Sequence, residues 1–193
     1  MRKPLRRRDN TLIDAIEAVE PIPLQGTVWR VVGEGRDPLE CRRPGGRWDD
    51  GSFDVLYTSQ AREGALAEMY FHLKRGQPIF PSKVRYELFE LSVSLERTLH
   101  LLDLSALAEL GVQTDGYGKL AYEERLSEYP RTQDIAEVAH FLEFDGMLAP
   151  CARWACLNVI LFGERCGPES RELVKSHGLI DWRQWEVRLS EEV

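Results

Sequence analysis

Apolar residues recur at helical spacing in three stretches of the chain, and each stretch predicts a helix. Ser59 precedes the second stretch as a candidate N-cap, and Gly76 and Pro78 follow it as its predicted end. Gly146 follows the third stretch and is its predicted end. The three stretches are residues 11–19, 60–73 and 132–144.

Other segments are rich in β-branched and aromatic residues, or alternate between apolar and polar positions, and these predict strands. The alternation in one of them slips near Phe89 and Glu90, as a β-bulge would cause. Helices and strands follow one another without a regular strand–helix–strand period. This order favours an α+β fold with mixed or antiparallel sheets, flanking helices and an N-terminal helix. The predicted strands are residues 27–33, 53–59, 84–95, 156–163 and 184–190.

The composition is that of a globular protein, with 43% hydrophobic and 30% charged residues. No apolar stretch approaches the ~20 residues that cross a bilayer, and the basic start lacks the apolar region of a secretory signal. We therefore expect a soluble, cytoplasmic protein without a membrane partner. The net charge of −7 disfavours direct nucleic-acid binding, although local basic clusters at 2–8 and 42–47 keep it as a minor alternative.

Cysteines and histidines lack the spacing of a metal site. None of the four cysteines belongs to a C-x-x-C pair, and the four histidines are scattered along the chain. The sequence therefore predicts reduced thiols and no metal cofactor. The cysteines are Cys41, Cys151, Cys156 and Cys166.

Two arginines stand at positions that suit anion binding. Arg30 interrupts an apolar strand, so its charge needs a partner, a cleft or the solvent face of an edge strand. Gly45 and Gly46 allow a sharp bend before Arg47, whose planar guanidinium can hold a phosphate with two hydrogen bonds. The alternative for Arg47 is a solvated hairpin loop.

Two aromatic residues and one carboxylate complete the candidate set. Trp48 and Tyr57 either stack on the flat ring of a ligand or pack in the core. Glu68 borders the apolar stripe of its predicted helix, where it is either a desolvated acid or a carboxylate paired with His72 or Arg62. None of these residues decides the function by itself.

Taken in order, three segments resemble the RES-domain family. The middle segment carries the order G-G-R-W, an aliphatic–tyrosine strand end and a helix with A-x-x-E, which is specific in its spacing. The resemblance implies an NAD⁺-consuming toxin of a bacterial toxin–antitoxin pair, with a fold similar to that of ADP-ribosyltransferases. The segments are GTVWRVV (26–32), DPLECRRPGGRWDDGSFDVLYTSQAREGALAEMYFHL (37–73) and HFLEFDGMLAPCARWACLNVILF (140–162).

The resemblance also implies a role for each candidate. Glu68, Arg30 and Tyr57 are the expected catalytic residues, and NAD⁺ is the substrate. Glu68 would stabilise the oxocarbenium-like state that forms when the nicotinamide–ribose bond breaks. Arg30 and Arg47 would hold the pyrophosphate, and Tyr57 would stack on the nicotinamide or its ribose. The expected NAD⁺-binding residues are Arg30, Arg47, Tyr57, Trp48 and Cys151.

Two departures from the family pattern affect the expected activity. Cys151 occupies the position of the family's serine, and a thiol is a poorer hydrogen-bond donor than a hydroxyl. Val31 stands where family members often have tyrosine. The alternative to an enzyme is therefore a catalytically weakened domain that binds a nucleotide or an antitoxin.

The resemblance leaves the acceptor of ADP-ribose open between phosphate, water and a target protein such as phosphoribosyl pyrophosphate synthetase. It implies a cognate antitoxin, commonly with a helix-turn-helix segment, that covers the NAD⁺ cleft. We expect a single RES-type domain with a core at 26–163, a basic and helical extension at 1–25, and a closing strand region at 164–193.

Overall fold

The computed structural model describes residues 8–74, 85–118 and 125–191. The predicted end of the second helix at Gly76 and Pro78 lies outside them. The helices are α1 (Asn10–Glu17), α2 (Arg62–Lys74), α3 (Leu104–Glu109), α4 (Arg125–Phe141) and α5 (Trp182–Glu191). The strands are β1 (Ile22–Gly33), β2 (Val55–Ser59), β3 (Tyr86–His100), β4 (Gly146–Pro150), β5 (Leu157–Phe162) and β6 (Arg171–Leu179).

Five strands close into a barrel. They are hydrogen-bonded in the order β1-β2-β5-β4-β3, and an additional pairing of β1 with β3 completes the ring. β6 lies outside the ring on β3. The strands pair antiparallel except for β3 with β4, so the sheet is mixed and the protein is α+β, as the sequence predicts.

Apolar side chains from all five barrel strands fill the barrel interior. They come from alternate strand positions, since successive side chains of a strand point to opposite faces. This alternation leaves a second set of side chains on the outer face, where helices cover them. The interior cluster includes Val28, Leu56, Leu91, Leu148 and Val159, all at most 2% exposed.

Helices cover the outer face in two groups. Leu12 and Ile16 of α1 pack with Ile135 of α4 against Met147 and Ile160 of the barrel. This burial provides much of the driving force for folding because apolar surface leaves water. The second group joins α2 and α5 through a cluster that includes Leu66, Tyr70, Trp182, Trp185 and Val31.

Two predictions at the C-terminal side are wrong. Residues 184–190, predicted as a closing strand, belong to α5, whose Trp182 and Trp185 are spaced for one helical face and are both 7% exposed. Gly146 does not end α4, because α4 ends at Phe141 and Gly146 begins β4. Glu143 has a left-handed backbone (φ 64°) in the connection.

The β-bulge predicted in β3 near Phe89 and Glu90 lies instead on the facing strand β6. The pairing of β3 with β6 shifts register between Glu87 and Phe89 and again between Glu90 and Leu91, and at both places the extra residue is on β6. Against β1, the register of β3 is continuous from Tyr86 to Leu95. Ser59 accepts a hydrogen bond of 3.3 Å from the Ala61 N–H just before α2. Among the described residues, no helix combines the length and apolar character needed to span a membrane.

Candidate active site

A cavity opens where β1 and β2 separate. These two strands share the single residue pair Trp29–Ser59. Beyond it, Arg30 and Val31 on β1 and Tyr57 and Thr58 on β2 line the gap. The cavity has a volume of about 450 Å³, within the range of small-molecule sites. Five of the six sequence-predicted residues line it, namely Arg30, Arg47, Trp48, Tyr57 and Glu68.

The loop between β1 and β2 is organised around one buried carboxylate. Asp49 is 0% exposed. Its Oδ1 accepts hydrogen bonds from the N–H groups of Gly45 (2.7 Å) and Gly51 (3.2 Å), and its Oδ2 accepts one from Gly46 (2.8 Å). Gly45 and Gly51 have φ values of 69° and 83°, which other residues adopt at a cost. The Gly45–Gly46 bend is thus held in shape by hydrogen bonds to the Asp49 carboxylate.

Helix α4 holds the same loop by its carbonyl groups. Thr132 Oγ1 donates to the Arg47 carbonyl (2.7 Å). Gln133 Nε2 donates to the carbonyls of Gly46 (2.8 Å) and Asp49 (3.0 Å). Because both the N–H groups and the carbonyls of the bend have partners, the backbone around Arg47 is fixed in place.

Arg47 points into a pair of tyrosine rings at the cavity. Its guanidinium carbon lies 4.5 Å from the ring centroid of Tyr117 and 5.3 Å from that of Tyr129. Cation–π attraction favours this position. Tyr117 is anchored in turn by a 2.8 Å hydrogen bond from its hydroxyl to the Pro150 carbonyl. The solvated hairpin arginine considered from the sequence is therefore not what the structure shows.

The Glu68 side chain extends from α2 to the beginning of β5, on the outer face of the barrel. Its Oε1 accepts hydrogen bonds from Cys151 Sγ and Asn158 Nδ2, both at 3.3 Å. Neither donor is the His72 or Arg62 considered from the sequence, and Arg62 pairs with Glu63. The carboxylate is thus oriented by a thiol and an amide rather than by an ion pair.

The close approach of α2 to the barrel depends on Gly64. A Cβ at this position would lie 2.4 Å from Ser59 Oγ and 2.4 Å from Cys156 Sγ, closer than real contacts allow. The absent side chain therefore lets the first turns of α2 settle on β2 and β5. This contact places Glu68 four residues later at the cavity.

Arg30 enters the same cavity from the other face of the barrel wall. Ser59, opposite Trp29, is itself paired with Asn158, so these side chains share the outer face with Glu68. By strand alternation Arg30 leaves β1 on the inner side. It reaches the cavity because the wall is open between β1 and β2.

The guanidinium of Arg30 is only partly satisfied. Its Nη2 donates to the Glu40 carbonyl (3.2 Å), while Nη1 is buried without a hydrogen-bond partner among the described residues. Burial lowers the pKa of Arg30 to about 10. The solvent face of an edge strand is excluded as its position because β1 has neighbours on both edges.

The two aromatic candidates, Trp48 and Tyr57, both pack against the hydrophobic core. Trp48 is 1% exposed and packs in the core, which favours the core-packing alternative, although it also borders the cavity. Tyr57 packs on the same cluster. Burial and the Asp49 carboxylate raise the pKa of its phenol well above the ordinary value, so it remains a hydrogen-bond donor.

Sequence reasoning missed Asp49 and Asn158 as site residues. The position of Asp49, beside Asp50 and Gly51, is typical of a turn and gives no sign of burial. Asn158 had a usable signal, because it is the polar residue within the apolar run of 156–163. Among residues 8–74, 85–118 and 125–191, no three His, Cys, Asp or Glu side chains are grouped as a metal ion would require.

The profile of the RES domain matches residues 27–186. The chain therefore belongs to the RES domain family. This match begins near the predicted core boundary and extends past residue 163 to include β6 and part of α5.

Several mycobacterial proteins are similar along the chain. A Mycobacterium tuberculosis protein named "Probable NAD(+) phosphorylase" is 33% identical over 147 residues, covering 73% of this chain and 66% of that protein. The NAD(+) phosphorylase MbcT of Mycobacterium bovis is 25% identical over 187 residues, covering 93% of this chain and 96% of MbcT.

The fold is also that of a chain in a solved toxin–antitoxin complex. The crystal structure of the M. tuberculosis MbcT–MbcA toxin–antitoxin complex contains a chain that superposes with a TM-score of 0.77. The match has 22% sequence identity and covers 94% of this chain and 98% of the other. At this identity the superposition shows a shared fold.

Proposed function

We propose that this protein cleaves the nicotinamide–ribose bond of NAD⁺ and transfers ADP-ribose to inorganic phosphate. The observation that carries the proposal is that one cavity collects a carboxylate, Glu68, and two arginines, Arg30 and Arg47, from three separate parts of the chain. Membership of the RES domain family and the NAD(+) phosphorylase names of similar proteins support the same reaction.

The two arginines suit the pyrophosphate of NAD⁺. Arg30 has a buried N–H group at Nη1 without a partner in the part of the chain that the structure describes, and an anionic oxygen would satisfy it. Arg47 approaches from a loop whose backbone is fixed, so it loses little further freedom on binding. Together they would orient the dinucleotide with its ribose toward Glu68.

Glu68 suits the reacting centre. When the bond between ribose C1′ and the pyridinium nitrogen breaks, its electron pair returns to nicotinamide, which leaves neutral, while positive charge develops on the ribose. A carboxylate beside the ribose stabilises that charge. Asn158 and Cys151 hold the carboxylate by its Oε1, which leaves Oε2 for the ribose hydroxyls. A phosphate oxygen then bonds to C1′ and gives ADP-ribose phosphate.

Tyr57 would contribute its ring rather than its hydroxyl. The hydroxyl is bonded to Asp49 and Trp48, whereas the residue lines the cavity. We therefore propose that the ring face contacts the nicotinamide or its ribose. We also propose that the barrel is similar to the fold of ADP-ribosyltransferases, as the family resemblance implies.

An assay of the acceptor tests the reaction. Purified protein is incubated with labelled NAD⁺ alone, with phosphate, and with cell lysate, and nicotinamide, ADP-ribose, ADP-ribose phosphate and labelled protein bands are measured. We expect nicotinamide release that depends on phosphate. Free ADP-ribose would instead indicate a glycohydrolase, and a labelled band would indicate a protein target such as phosphoribosyl pyrophosphate synthetase. Absence of nicotinamide from every mixture would refute the proposal that the protein cleaves NAD⁺.

Replacement of Glu68 separates catalysis from binding. We expect Glu68→Gln to lower NAD⁺ consumption about 100-fold or more, because it removes the charge that stabilises the ribose cation. Glu63→Gln is the matched control, since Glu63 lies on the same helix and pairs with Arg62 at the surface. If Glu68→Gln stayed as toxic to cells as the parent, the protein would be a nucleotide- or antitoxin-binding module.

We also propose a cognate antitoxin that covers the cavity. The fold match is to the toxin of a toxin–antitoxin complex, and an enzyme that consumes an abundant metabolite must be restrained. The expected partner has a helix-turn-helix segment and acts in the cytoplasm, where the protein's four free thiols stay reduced. Co-expression with the neighbouring gene product should restore growth and give an inactive complex.

A further inference from the structure

Cys151 and Cys156 face each other across the turn that joins β4 to β5. The Cys151 N–H donates to the Cys156 carbonyl (2.9 Å), directly beyond the last strand pair, Pro150–Leu157. This is the one backbone hydrogen bond between the two residues, since the Cys156 N–H donates to the Trp154 carbonyl (2.8 Å). Directly opposed antiparallel residues have Cα atoms about 4.5–5.5 Å apart, which is within the range that a disulfide spans. The two side chains are also close enough for each to shift the pKa of the other.

The two thiols are unequal. The neighbouring Cys151 side chain, together with hydrogen bonds from Ser59 and the Ala61 N–H, lowers the pKa of Cys156. The neighbouring Cys156 side chain, burial and the Glu68 carboxylate raise the pKa of Cys151. Cys156 is therefore the thiol that loses its proton first and gives the nucleophilic thiolate, while Cys151 keeps its proton and donates a hydrogen bond to Glu68.

We propose that Cys151 and Cys156 form an oxidant-sensitive modification site, which closes to a disulfide in hydrogen peroxide and disables Glu68. The Cys156 thiolate attacks one peroxide oxygen, the O–O bond breaks, and the other oxygen leaves as hydroxide, which takes a proton from solvent and becomes water. Cys151 sulfur then attacks the resulting sulfenic acid at Cys156. The S–O bond breaks, the hydroxide takes the Cys151 proton, and a second water leaves. Two thiols supply the two electrons that reduce the peroxide.

The disulfide changes the site because Cys151 Sγ has two functions in the reduced protein. It donates a hydrogen bond to Glu68 Oε1, and it accepts one from the Arg153 N–H (3.4 Å). Bonded to Cys156, it has no proton to donate. Of the two donors to Glu68, Asn158 then remains. The segment at Arg153, which lines the cavity, moves with the sulfur.

Cys41 and Cys166 provide internal controls. Burial is the largest effect on both thiols and raises their pKa, so they are poor nucleophiles at neutral pH. Neither contacts Glu68 in the described structure. Oxidation at low peroxide concentration should therefore spare them.

The experiment treats the reduced full-length protein with hydrogen peroxide and maps disulfides by mass spectrometry of a non-reduced tryptic digest. Trypsin cuts after Arg153, so the disulfide joins two peptides that dithiothreitol separates. We expect this linkage in the parent, in Cys41→Ser and in Cys166→Ser, but not in Cys156→Ser. A linkage that involves Cys41 or Cys166, or no linkage at all, would refute the proposal that Cys151 and Cys156 form the oxidant-sensitive site.

The effect on Glu68 rests on the proposed function and is measured separately. Peroxide should lower NAD⁺ consumption by the parent about tenfold, as expected for loss of a hydrogen bond to a charged group, and dithiothreitol should restore it. Cys156→Ser should keep its activity in peroxide. A mapped disulfide with unchanged NAD⁺ consumption would refute the proposed effect of the disulfide on Glu68. If the reduced parent consumed no NAD⁺, the proposed function would fail, and peptide mapping alone would decide the modification site.

Discussion

The phenol of Tyr57 donates a 2.9 Å hydrogen bond to Asp49 Oδ2 and accepts one of 2.9 Å from the Trp48 N–H. This relationship ties the loop that carries Arg47 to strand β2. Asp49 also accepts from three backbone N–H groups of the loop, so one buried carboxylate sets the shape of the bend. The position of Arg47, which we propose to bind the pyrophosphate, therefore depends on a residue that need not touch the substrate.

Asp49→Asn should destabilise the protein and weaken NAD⁺ binding. The amide nitrogen that replaces one carboxylate oxygen cannot accept a hydrogen bond, so buried donors are left unpaired at a cost of about 2–3 kcal/mol. Urea unfolding and the KM for NAD⁺ measure the two effects. Asp50→Asn, one residue along, is the matched control, since Asp50 accepts from the Ser52 N–H at the loop surface. Equal losses in the two variants would contradict the role given to Asp49.

Tyr57→Phe separates the hydroxyl of Tyr57 from its ring. Loss of the hydroxyl should lower the free energy of unfolding by about 1–3 kcal/mol, because Asp49 and the Trp48 N–H each lose a partner. The ring that faces the cavity remains, so NAD⁺ consumption by the folded variant should fall less than in Tyr57→Ala. Steady-state kinetics of both variants test this order, and the reverse order would refute a contact through the ring.

Arg47→Lys should raise the KM for NAD⁺ about tenfold or more with a smaller effect on kcat. A lysine keeps the charge but loses the planar fork that binds phosphate oxygens in pairs. It also loses stacking on Tyr117. Arg43→Lys is the control, because Arg43 pairs with Asp54 and Glu164 outside the cavity. A comparable rise in KM for Arg43→Lys would point to general charge attraction instead.

Gly64→Ala should move α2 away from the barrel. The added Cβ meets Ser59 Oγ and Cys156 Sγ at 2.4 Å, and overpacking of this kind costs about 1–3 kcal/mol. Thermal unfolding and NAD⁺ consumption should both decline. In Gly33→Ala, the nearest atoms would lie at 3.6 Å, an ordinary contact, so this control should stay close to the parent.

Acid should weaken the attachment of α1. The hydrogen bond from the Thr11 side chain, followed by that from Arg131, lowers the pKa of Asp9 from 3.8 to about 2. The stabilisation that Asp9 gives is therefore complete above about pH 3.8 and is lost as the pH falls toward 2. The melting temperature of Asp9→Asn should show a shallower decline than the parent over this interval. Parallel curves would show that Asp9 does not contribute.

Much of the secondary structure follows from local pattern, and the exceptions have physical causes. The segment 184–190 alternates well enough for a strand, but burial of Trp182 and Trp185 against Tyr70 of α2 makes it helical. β6 was missed because its residues are largely exposed and show no alternation. Its pairing with β3, and not its own pattern, makes it a strand.

The candidate site could be predicted in part. Arg30 and Glu68 are charged residues within apolar elements, and the family resemblance gave them roles. Their shared cavity depends on the closure of β1 on β3 and the separation of β1 from β2, which are long-range pairings. Asn158 and Asp49 gain their importance from the same tertiary contacts. The assignment of catalytic and binding roles to the site residues remains a prediction until the variants are measured.

The single Trp29–Ser59 pair between β1 and β2 makes barrel closure and substrate entry compete for the same backbone groups. Each further residue pair between these strands would add hydrogen bonds that stabilise the barrel. It would also narrow the opening through which the Arg30 side chain reaches the cavity. A longer ladder would favour stability over access, and a shorter one would favour the reverse. The number of residue pairs between β1 and β2 therefore sets the width of the gap at the cavity.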